Sequence, residues 1–210
     1  MDADVFRTWI TAAAEVIEEQ RDHLTQLDAA IGDADHGINL ARGFTAVLSA
    51  LETAAPATPG AVLTLTGSTL ISKVGGASGP LYGTAFRGAG KALGDTANVD
   101  LPGLATALEA ALAGVQRLGA AREGDKTMVD ALAPATGAFS KAIAEGASDA
   151  DALTALAEAA QAGAVATISM QALKGRASYL GPRSVGHEDP GAASTALILA
   201  ALRDAALAGR

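Results

Sequence analysis

Apolar residues recur every three or four positions along most of the chain, as they do on the buried face of amphipathic α-helices. Between Ala3 and Leu27 they form one continuous apolar stripe. Glycine, proline and helix-capping residues interrupt the pattern at intervals. We therefore predict eight helices, with approximate bounds 3–27, 37–54, 60–74, 80–93, 102–118, 128–144, 150–173 and 189–210.

Strand-forming patterns are missing from the sequence. Aromatic residues make up only 3% of it, and β-branched residues do not cluster in alternating runs, whereas alanine is abundant. The predicted fold class is all-α. A length of 210 residues suits one continuous core, and no stretch resembles a linker, so we expect a single domain over residues 1–210.

The predicted connections between helices are of two kinds. Those after the second, fourth and sixth helices (55–59, 94–100 and 145–149) are short turns without unusual chemistry. Those after the first, third, fifth and seventh helices hold most of the acidic, glycine-rich and basic motifs. Successive helices joined by short connections run antiparallel, so these four connections would meet at one end of an up-and-down barrel or bundle. This sorting would fail if one predicted helix were really two.

Charge and composition exclude several classes of protein. The net charge of −8 argues against nucleic-acid binding, which needs a basic surface. The absence of cysteine excludes disulfides and thiolate metal sites. The acidic N-terminus does not resemble a signal peptide, and no apolar run reaches the roughly 18 residues of a membrane span. We expect a cytoplasmic protein with no membrane or nucleic-acid partner.

Three aspartates lie close together in the first rich connection. Asp28 ends the first helix, and Asp33 and Asp35 follow the turn that Gly32 permits. Carboxylate oxygens in such a cluster suit Mg²⁺ or Ca²⁺. The sequence therefore predicts a divalent metal site, with a polar turn in which Asp35 caps the next helix as the alternative.

Two helix starts are candidate anion sites, because free backbone N–H groups at a helix N-terminus attract phosphate. His36 and Asn39 begin the second helix. Ser78 lies in a glycine-rich run (75–80) before the fourth, where the alternative is a tight turn between helices. The run is not a Walker A loop, and in the similar-looking segment 119–127 Asp125 interrupts the motif. A metal beside such a helix end suggests a nucleotide.

The last rich connection is long for a compact helical domain, which is typical of functional loops. Its Arg176 and Arg183 could bind phosphate through their guanidinium groups. Asp189 could simply cap the last helix. His187 is interpreted as a solvated loop residue, and His23 has no partner in the sequence.

Several motifs together resemble a known family. They are Gly32–Gly37, Ser72–Thr84, Gly124–Asp130, Gly175–Gly181 and Gly186–Gly191. In this order they closely resemble the L subunit of dihydroxyacetone kinase, and the resemblance covers essentially the whole chain. It implies an antiparallel eight-helix barrel that holds ADP or ATP at one end through two Mg²⁺ ions.

The resemblance also implies roles for particular residues. The metal ligands would be Asp28, Asp33 and Asp35. The nucleotide contacts would be His36, Gly37, Ile38, Asn39, Ala77, Ser78, Gly119, Met128, Arg176, Asp189, Pro190 and Gly191. In this set Ala77 and Ser78 would contact phosphate, and Gly119 and Met128 would lie near the base. His36 and Arg176 would face the phosphates and act in phosphoryl transfer.

In this family a separate K subunit holds dihydroxyacetone, and an M subunit rephosphorylates the bound ADP from phosphoenolpyruvate. We expect that arrangement here, with the nucleotide itself as the phosphoryl carrier. The alternatives are an ATP-dependent kinase subunit for dihydroxyacetone or another short ketose, and a regulatory module that engages a transcriptional regulator according to its nucleotide state. A homodimer is a further expectation.

One residue departs from the family pattern, which usually has glycine between the paired aspartates. This chain has Ala34 there. The loop must therefore keep an ordinary backbone conformation at Ala34 or accept strain of about 1 kcal/mol. We expect the metal site to survive.

Overall fold

The computed structural model describes residues 1–209, which form nine α-helices and two 3₁₀ segments without any strand. The α-helices are α1 (Ala3–Glu19), α2 (Arg21–Ile31), α3 (His36–Ala54), α4 (Pro59–Lys73), α5 (Ser78–Leu93), α6 (Leu101–Gly119), α7 (Val129–Ala144), α8 (Asp149–Ala166) and α9 (Pro190–Ala208). The 3₁₀ segments are Thr167–Ser169 and Arg176–Ser184. The all-α prediction is confirmed.

The first predicted helix is divided at Gln20, where φ is −94° and ψ is 7°. Helical hydrogen bonding nevertheless continues through this residue, because its N–H bonds to Val16 and its carbonyl accepts from Leu24. The break is a bend, and both α1 and α2 pack against the same neighbour, α3. The two segments together act as one arm of the barrel, so the alternation of helix directions is kept.

The seventh predicted helix is shorter than expected, since α8 ends at Ala166 instead of Leu173. The hydroxyls of Thr167 and Ser169 donate to the carbonyls of Ala164 and Ala166. Such local side-chain hydrogen bonds compete with the backbone hydrogen bonds that would continue the α-helix, and they favour the tighter 3₁₀ turn. The chain thereby gains a longer final connection.

The helices close into a ring. Each of α3 to α8 packs against the next helix along the chain, α9 packs against α1, and α1 packs against α3. This is the antiparallel up-and-down barrel that the sequence predicts. Within residues 1–209, α9 is the one helix long and apolar enough to cross a membrane by length and composition, but most of it is buried inside the barrel.

Small residues let neighbouring helices approach closely. A Cβ on Gly67 of α4 would lie 2.5 Å from the carbonyl oxygen of Gly83 on α5, and one on Gly83 would lie 2.6 Å from that of Gly67. Larger side chains fill the interior of the barrel, where Trp9 donates to the carbonyl of Ile198 at 2.9 Å. Close packing of this kind holds the helix ends in fixed positions.

The two ends of the barrel differ. One end, which we call the mouth, contains the connections 32–35, 74–77, 120–128 and 167–189. The opposite end, which we call the far end, contains the connections 55–58, 94–100 and 145–148. Helices α3, α5, α7 and α9 begin at the mouth, and α1, α4, α6 and α8 begin at the far end.

Candidate nucleotide and metal site

A cavity of about 300 Å³ opens at the mouth. All four of its connections contribute to the lining, which confirms that the rich connections meet at one end. The lining includes Asp28, Ile31, Asp33, Asp35, His36, Ala77, Ser78, Leu81, Tyr82, Val115, Gly119, Lys126, Met128, Lys174, Arg176, Asp189, Pro190 and Gly191.

The three predicted metal ligands converge in this cavity. One carboxylate oxygen from each of Asp28, Asp33 and Asp35 lies within 4.8 Å of the others. An oxygen-only cluster of this size matches what Mg²⁺ or Ca²⁺ requires. The Arg176 guanidinium lies 2.9 Å from the Asp33 carboxylate and offsets part of the repulsion. The donor set fits a divalent cation.

Asp28, and not Asp35, satisfies the start of α3. Its Oδ2 accepts from the backbone N–H of Asp35 at 2.8 Å and of His36 at 3.1 Å. The Asp35 carboxylate makes no capping bond. The alternative reading of a simple Asp35 cap is therefore wrong, because a carboxylate seven residues earlier, in the last turn of α2, supplies the cap. Gly32 allows this, since a Cβ there would lie 2.0 Å from Asp28 Oδ1.

Ala34 adopts the strained conformation. Its φ is +61°, in the left-handed region that favours glycine. The loop thus keeps the path that glycine would allow, and the aspartates converge despite the Cβ.

The start of α5 is open to the cavity. Its N-cap residue, Ala77, has no side chain that could bond to the helix. Within residues 1–209 the backbone N–H groups of Ser78 and Gly79 have no hydrogen-bond partner. Free amides at a helix N-terminus attract anions. The same cavity therefore has one wall for a cation and another for an anion.

His36 lies between two hydroxyl groups. Its Nε2 is 2.8 Å from Ser194 Oγ, and its Nδ1 is 3.1 Å from Ser78 Oγ. The ring is buried, and burial lowers the pKa of His36 below its usual range, while Asp28 and Asp35 act in the opposite direction. Both ring nitrogens are already engaged, so the imidazole is held in a fixed orientation.

Lys126 ties the mouth connections together. Its side chain is 1% exposed, and its ammonium donates to the carbonyls of Thr167 (2.7 Å), Met170 (3.2 Å) and His187. Desolvation lowers the pKa of Lys126, and nearby Asp189 partly counteracts this. Segment 119–127 is thus not a phosphate-binding Walker A loop. Its lysine, Lys126, donates to backbone carbonyls instead.

Asp189 caps α9 and also lines the cavity. Its Oδ2 accepts from the backbone N–H of Ala192 at 2.7 Å. Desolvation raises the pKa of Asp189 to about 7, and the neighbouring Asp130 adds to the effect, while the cap bonds and Lys126 oppose it. The carboxyl therefore changes charge near neutral pH.

Three predicted nucleotide contacts do not line the cavity. Gly37 packs against α2, where a Cβ would lie 2.0 Å from the carbonyl oxygen of Arg21. Ile38 is 50% exposed outside the cavity, and Asn39 is buried and accepts from Arg42 at 2.8 Å. The other predicted contacts all lie on the lining, whereas Arg183 and His187 do not.

Sequence reasoning did not identify Tyr82, Ser194 or Lys126 as site residues. Tyr82 and Ser194 occupy helical positions that read as core in the sequence. Ser194 lies one turn after Pro190 in α9, on the side of the helix that faces the cavity. Tyr82 reaches Ser194 only because α5 comes close to α9 in the folded barrel. No local signal could have found that pair.

A helical barrel whose mouth combines a carboxylate cluster with an open helix N-terminus belongs to the class of proteins that bind a polyanion together with a divalent cation. Nucleotide-dependent phosphotransferases use sites of this class.

Comparison with known proteins assigns the family. Residues 30–204 match the DAK2 domain. The chain is 42% identical over 96% of its length to the ADP-binding subunit DhaL of PEP-dependent dihydroxyacetone kinase 1 from Listeria innocua, and covers 96% of that protein. It is 42% identical to the corresponding Escherichia coli subunit, over 94% of each chain. The chain belongs to the DAK2 family of dihydroxyacetone kinase subunits and is of the DhaL type.

A solved structure agrees with this assignment. The dihydroxyacetone kinase from C. freundii in complex with AMP-PNP and Mg²⁺ superposes with a TM-score of 0.71 at 30% identity. The match covers 97% of this chain but only 34% of that kinase, so the chain spans about a third of its length. The predicted family, fold and phosphotransferase class are confirmed.

Proposed function

We propose that this chain is the nucleotide-binding subunit of a phosphoenolpyruvate-dependent dihydroxyacetone kinase. In this role it holds ADP or ATP with two Mg²⁺ ions and passes a phosphoryl group to dihydroxyacetone on a separate K subunit. An M subunit restores the phosphoryl group from phosphoenolpyruvate. The chain covers 94–96% of subunits named as PEP-dependent but only 34% of the C. freundii kinase, which supports a separate subunit of the phosphoenolpyruvate-dependent kind.

The observation that carries the proposal is the pairing of two opposite binding surfaces in one cavity. Asp28, Asp33 and Asp35 supply a cation site, and the open start of α5 supplies an anion site. A magnesium diphosphate presents both charges at once. The apolar lining around Leu81 and Val115 suits the base, beside the predicted contacts Gly119 and Met128.

Each group at the site has a task in transfer. The aspartates would hold Mg²⁺, which when bound neutralises charge on the phosphate oxygens. The amides of Ser78 and Gly79 would donate to phosphate, and Arg176, already paired with Asp33, would lie beside the reacting oxygens. Positioning and electrostatic stabilisation do most of the work in such reactions, so no protein nucleophile is required.

The rim of the mouth is suited to a protein partner. The large hydrophobic side chains exposed among the described residues all lie at this end of the barrel: Ile38, Ile71, Leu118, Val165, Ile168, Leu173, Tyr179 and Val185. Apolar surface of this kind marks interaction sites. A partner bound to this rim would face the cavity opening, which transfer between subunits requires.

The first test measures ADP binding by calorimetry with and without Mg²⁺, followed by transfer to dihydroxyacetone with K subunit present. The phosphoryl source is either ATP or phosphoenolpyruvate with M subunit. We expect Mg²⁺-dependent binding and product with phosphoenolpyruvate. Rapid turnover on ATP alone would contradict the preferred version, and binding without any transfer would favour the regulatory alternative.

A second test concerns the rim. The exposed Tyr179 and Val165 do not line the cavity, so Tyr179→Ser with Val165→Ser should leave ADP affinity unchanged. Transfer to the K subunit should fall about tenfold, as when an aromatic interface residue is lost. Ala144→Ser, at an exposed position of the far end, is the control. Unchanged transfer in the double variant would contradict a partner surface at the rim.

The cytoplasmic location of the protein stays a prediction.

A further inference from the structure

One positive side chain on the cavity lining has no partner. Lysine and arginine line the cavity at three positions, Lys126, Lys174 and Arg176. The Lys126 ammonium is used on backbone carbonyls, and the Arg176 guanidinium pairs with Asp33 at 2.9 Å. Lys174 is half-buried and makes no hydrogen bond or ion pair within residues 1–209, although carboxylates line the same cavity. Its ammonium therefore remains available to a ligand.

The backbone that carries Lys174 is held in place by other segments of the mouth. The N–H of Leu173, the preceding residue, donates to the carbonyl of Asp125 at 3.0 Å. The N–H of Ala172 donates to Ser184 Oγ at 2.9 Å, and Ala172 is buried. A side chain on a fixed backbone binds a ligand without the cost of ordering the main chain. Lys174 is thus an unpaired cation on a preorganised segment.

Lys174 belongs to the part of the cavity proposed to hold phosphate and not to the part proposed to hold the base. It lies two residues before Arg176, so their Cα atoms are at most about 7 Å apart, and Arg176 contacts Asp33 of the aspartate cluster. The apolar residues proposed to hold the base, Leu81 and Val115, come from α5 and α6 instead. Both cations of the final connection therefore lie near the candidate metal site.

A nucleoside triphosphate brings one more phosphoryl group than the diphosphate, with further negative charge. In the proposed function the α5 amides and the metal ions meet the diphosphate. Arg176 shares its guanidinium with Asp33, so it offers only part of its hydrogen-bonding capacity to the added oxygens. A lysine ammonium has three donors on a flexible stem, so it can follow phosphate oxygens that move during transfer. Lys174 has the charge and the freedom that the terminal group requires.

We propose that Lys174 binds the terminal phosphoryl group of the nucleoside triphosphate and thereby makes the site hold the triphosphate more tightly than it would without this lysine. This rests on the proposed function, because the phosphoryl group is that of the bound nucleotide. In this role Lys174 acts beside Arg176, and one short segment of the final connection supplies both cations.

Calorimetry with two nucleotides tests the assignment. Lys174→Met removes the ammonium and keeps most of the stem. It should weaken binding of AMP-PNP with Mg²⁺ about tenfold, the scale of one hydrogen bond to a charged group, and weaken binding of ADP with Mg²⁺ by less than about threefold. Lys174→Arg keeps the charge and should restore AMP-PNP binding. Unchanged AMP-PNP binding in Lys174→Met, or an equal loss for both nucleotides, would overturn the proposal.

Lys73 provides a matched control, because it is an exposed lysine at the mouth that does not line the cavity. Lys73→Met should bind both nucleotides as the wild type does. Chemical labelling tests the contact without any substitution, since the chain has only five lysines and mass spectrometry can follow the acetylation of each. AMP-PNP with Mg²⁺ should slow acetylation of Lys174 more than ADP with Mg²⁺ does, and leave Lys73 unchanged. A Lys174 rate that AMP-PNP does not change would also overturn the proposal.

The proposed function and the role of Lys174 fail in different ways. If the wild-type chain binds neither nucleotide with Mg²⁺, the proposed function is wrong. If it binds both, but Lys174→Met binds AMP-PNP as tightly as the wild type does, the function stands and the role of Lys174 is wrong.

Discussion

The helices that begin at the far end and those that begin at the mouth are started in different ways. At the far end, α1, α4, α6 and α8 are each capped by the side chain of the residue just before them: Asp2, Thr58, Asp100 and Ser148. At the mouth, the residues just before α3, α5 and α7 make no side-chain capping bond. Only α9 has such a cap there, from Asp189.

At the mouth, the backbone N–H groups at the helix starts instead bond to carboxylates farther along the chain, or they have no partner among residues 1–209. The Asp28 carboxylate accepts from the backbone N–H groups of Asp35 and His36 at the start of α3. Asp130 likewise accepts from the N–H groups of Thr127 and Gly124 before α7. At the start of α5, the backbone N–H groups of Ser78 and Gly79 have no partner among residues 1–209. Local capping stabilises the barrel at one end, whereas at the other end carboxylates and amides remain available for a ligand.

The largest effect should come from exchanging an aspartate at the mouth. Asp35→Asn removes a proposed metal ligand without removing a cap, so the fold should persist. Mg²⁺-dependent ADP binding should weaken about 100-fold or more, since even outer-shell changes cost about 10- to 100-fold. Calorimetry measures this. Asp100→Asn at the far end is the control, and equal ADP binding by both variants would remove the distinction between the two ends.

Lys126→Met should lower stability more than any single far-end cap. It removes the ammonium donor from three carbonyls, of which that of Thr167 keeps the Met170 N–H while those of Met170 and His187 lose their donor. An unsatisfied group of this kind costs about 1 to 3 kcal/mol, so we expect a loss of about 3 kcal/mol in urea unfolding. Lys141→Met is matched in chemistry but exposed, and should change stability by less than about 0.5 kcal/mol. Similar values for the two variants would show that Lys126 does not hold the mouth together.

The stability of the mouth should depend on pH through Asp189. Its pKa is raised to about 7, above the unfolded value, so the native state keeps this proton longer and loses stability between about pH 4 and pH 7. Asp189→Asn keeps the cap but removes the charge. The variant should therefore gain stability relative to wild type as pH rises from 5 to 8, by about 1 kcal/mol after solvent screening. Urea unfolding at each pH measures the free energy of unfolding of both proteins. A difference between them that stays the same from pH 5 to pH 8 would contradict this prediction.

The smallest effect compares left-handed alanines at the two ends. Ala34 at the mouth has φ +61°, and Ala55 at the far end has φ +42°. Replacing either with glycine should relieve strain and stabilise the fold by about 0.5 kcal/mol, raising Tm by about 1–2 °C. ADP affinity should change little in both. Destabilisation by Ala34→Gly alone would mean that the alanine supports the aspartate loop.

The sequence by itself determined the class of the fold, the sorting of loops and the aspartate cluster at the mouth. Helix periodicity and breakers are local properties, so α3 to α7 begin and end close to the predicted bounds. The closely spaced Asp28, Asp33 and Asp35 also needed no distant partner to be recognised, and motif resemblance extended the list to about half of the cavity lining.

Only the tertiary structure decided how these groups are used. It gave the cap of α3 to Asp28 instead of Asp35, bent the first helix at Gln20, and brought Tyr82 of α5 to Ser194 of α9, 112 residues apart in sequence. It also buried Lys126 among carbonyls of another connection. Such pairings depend on helix packing and register, which periodicity does not encode, and therefore no local pattern could reveal them.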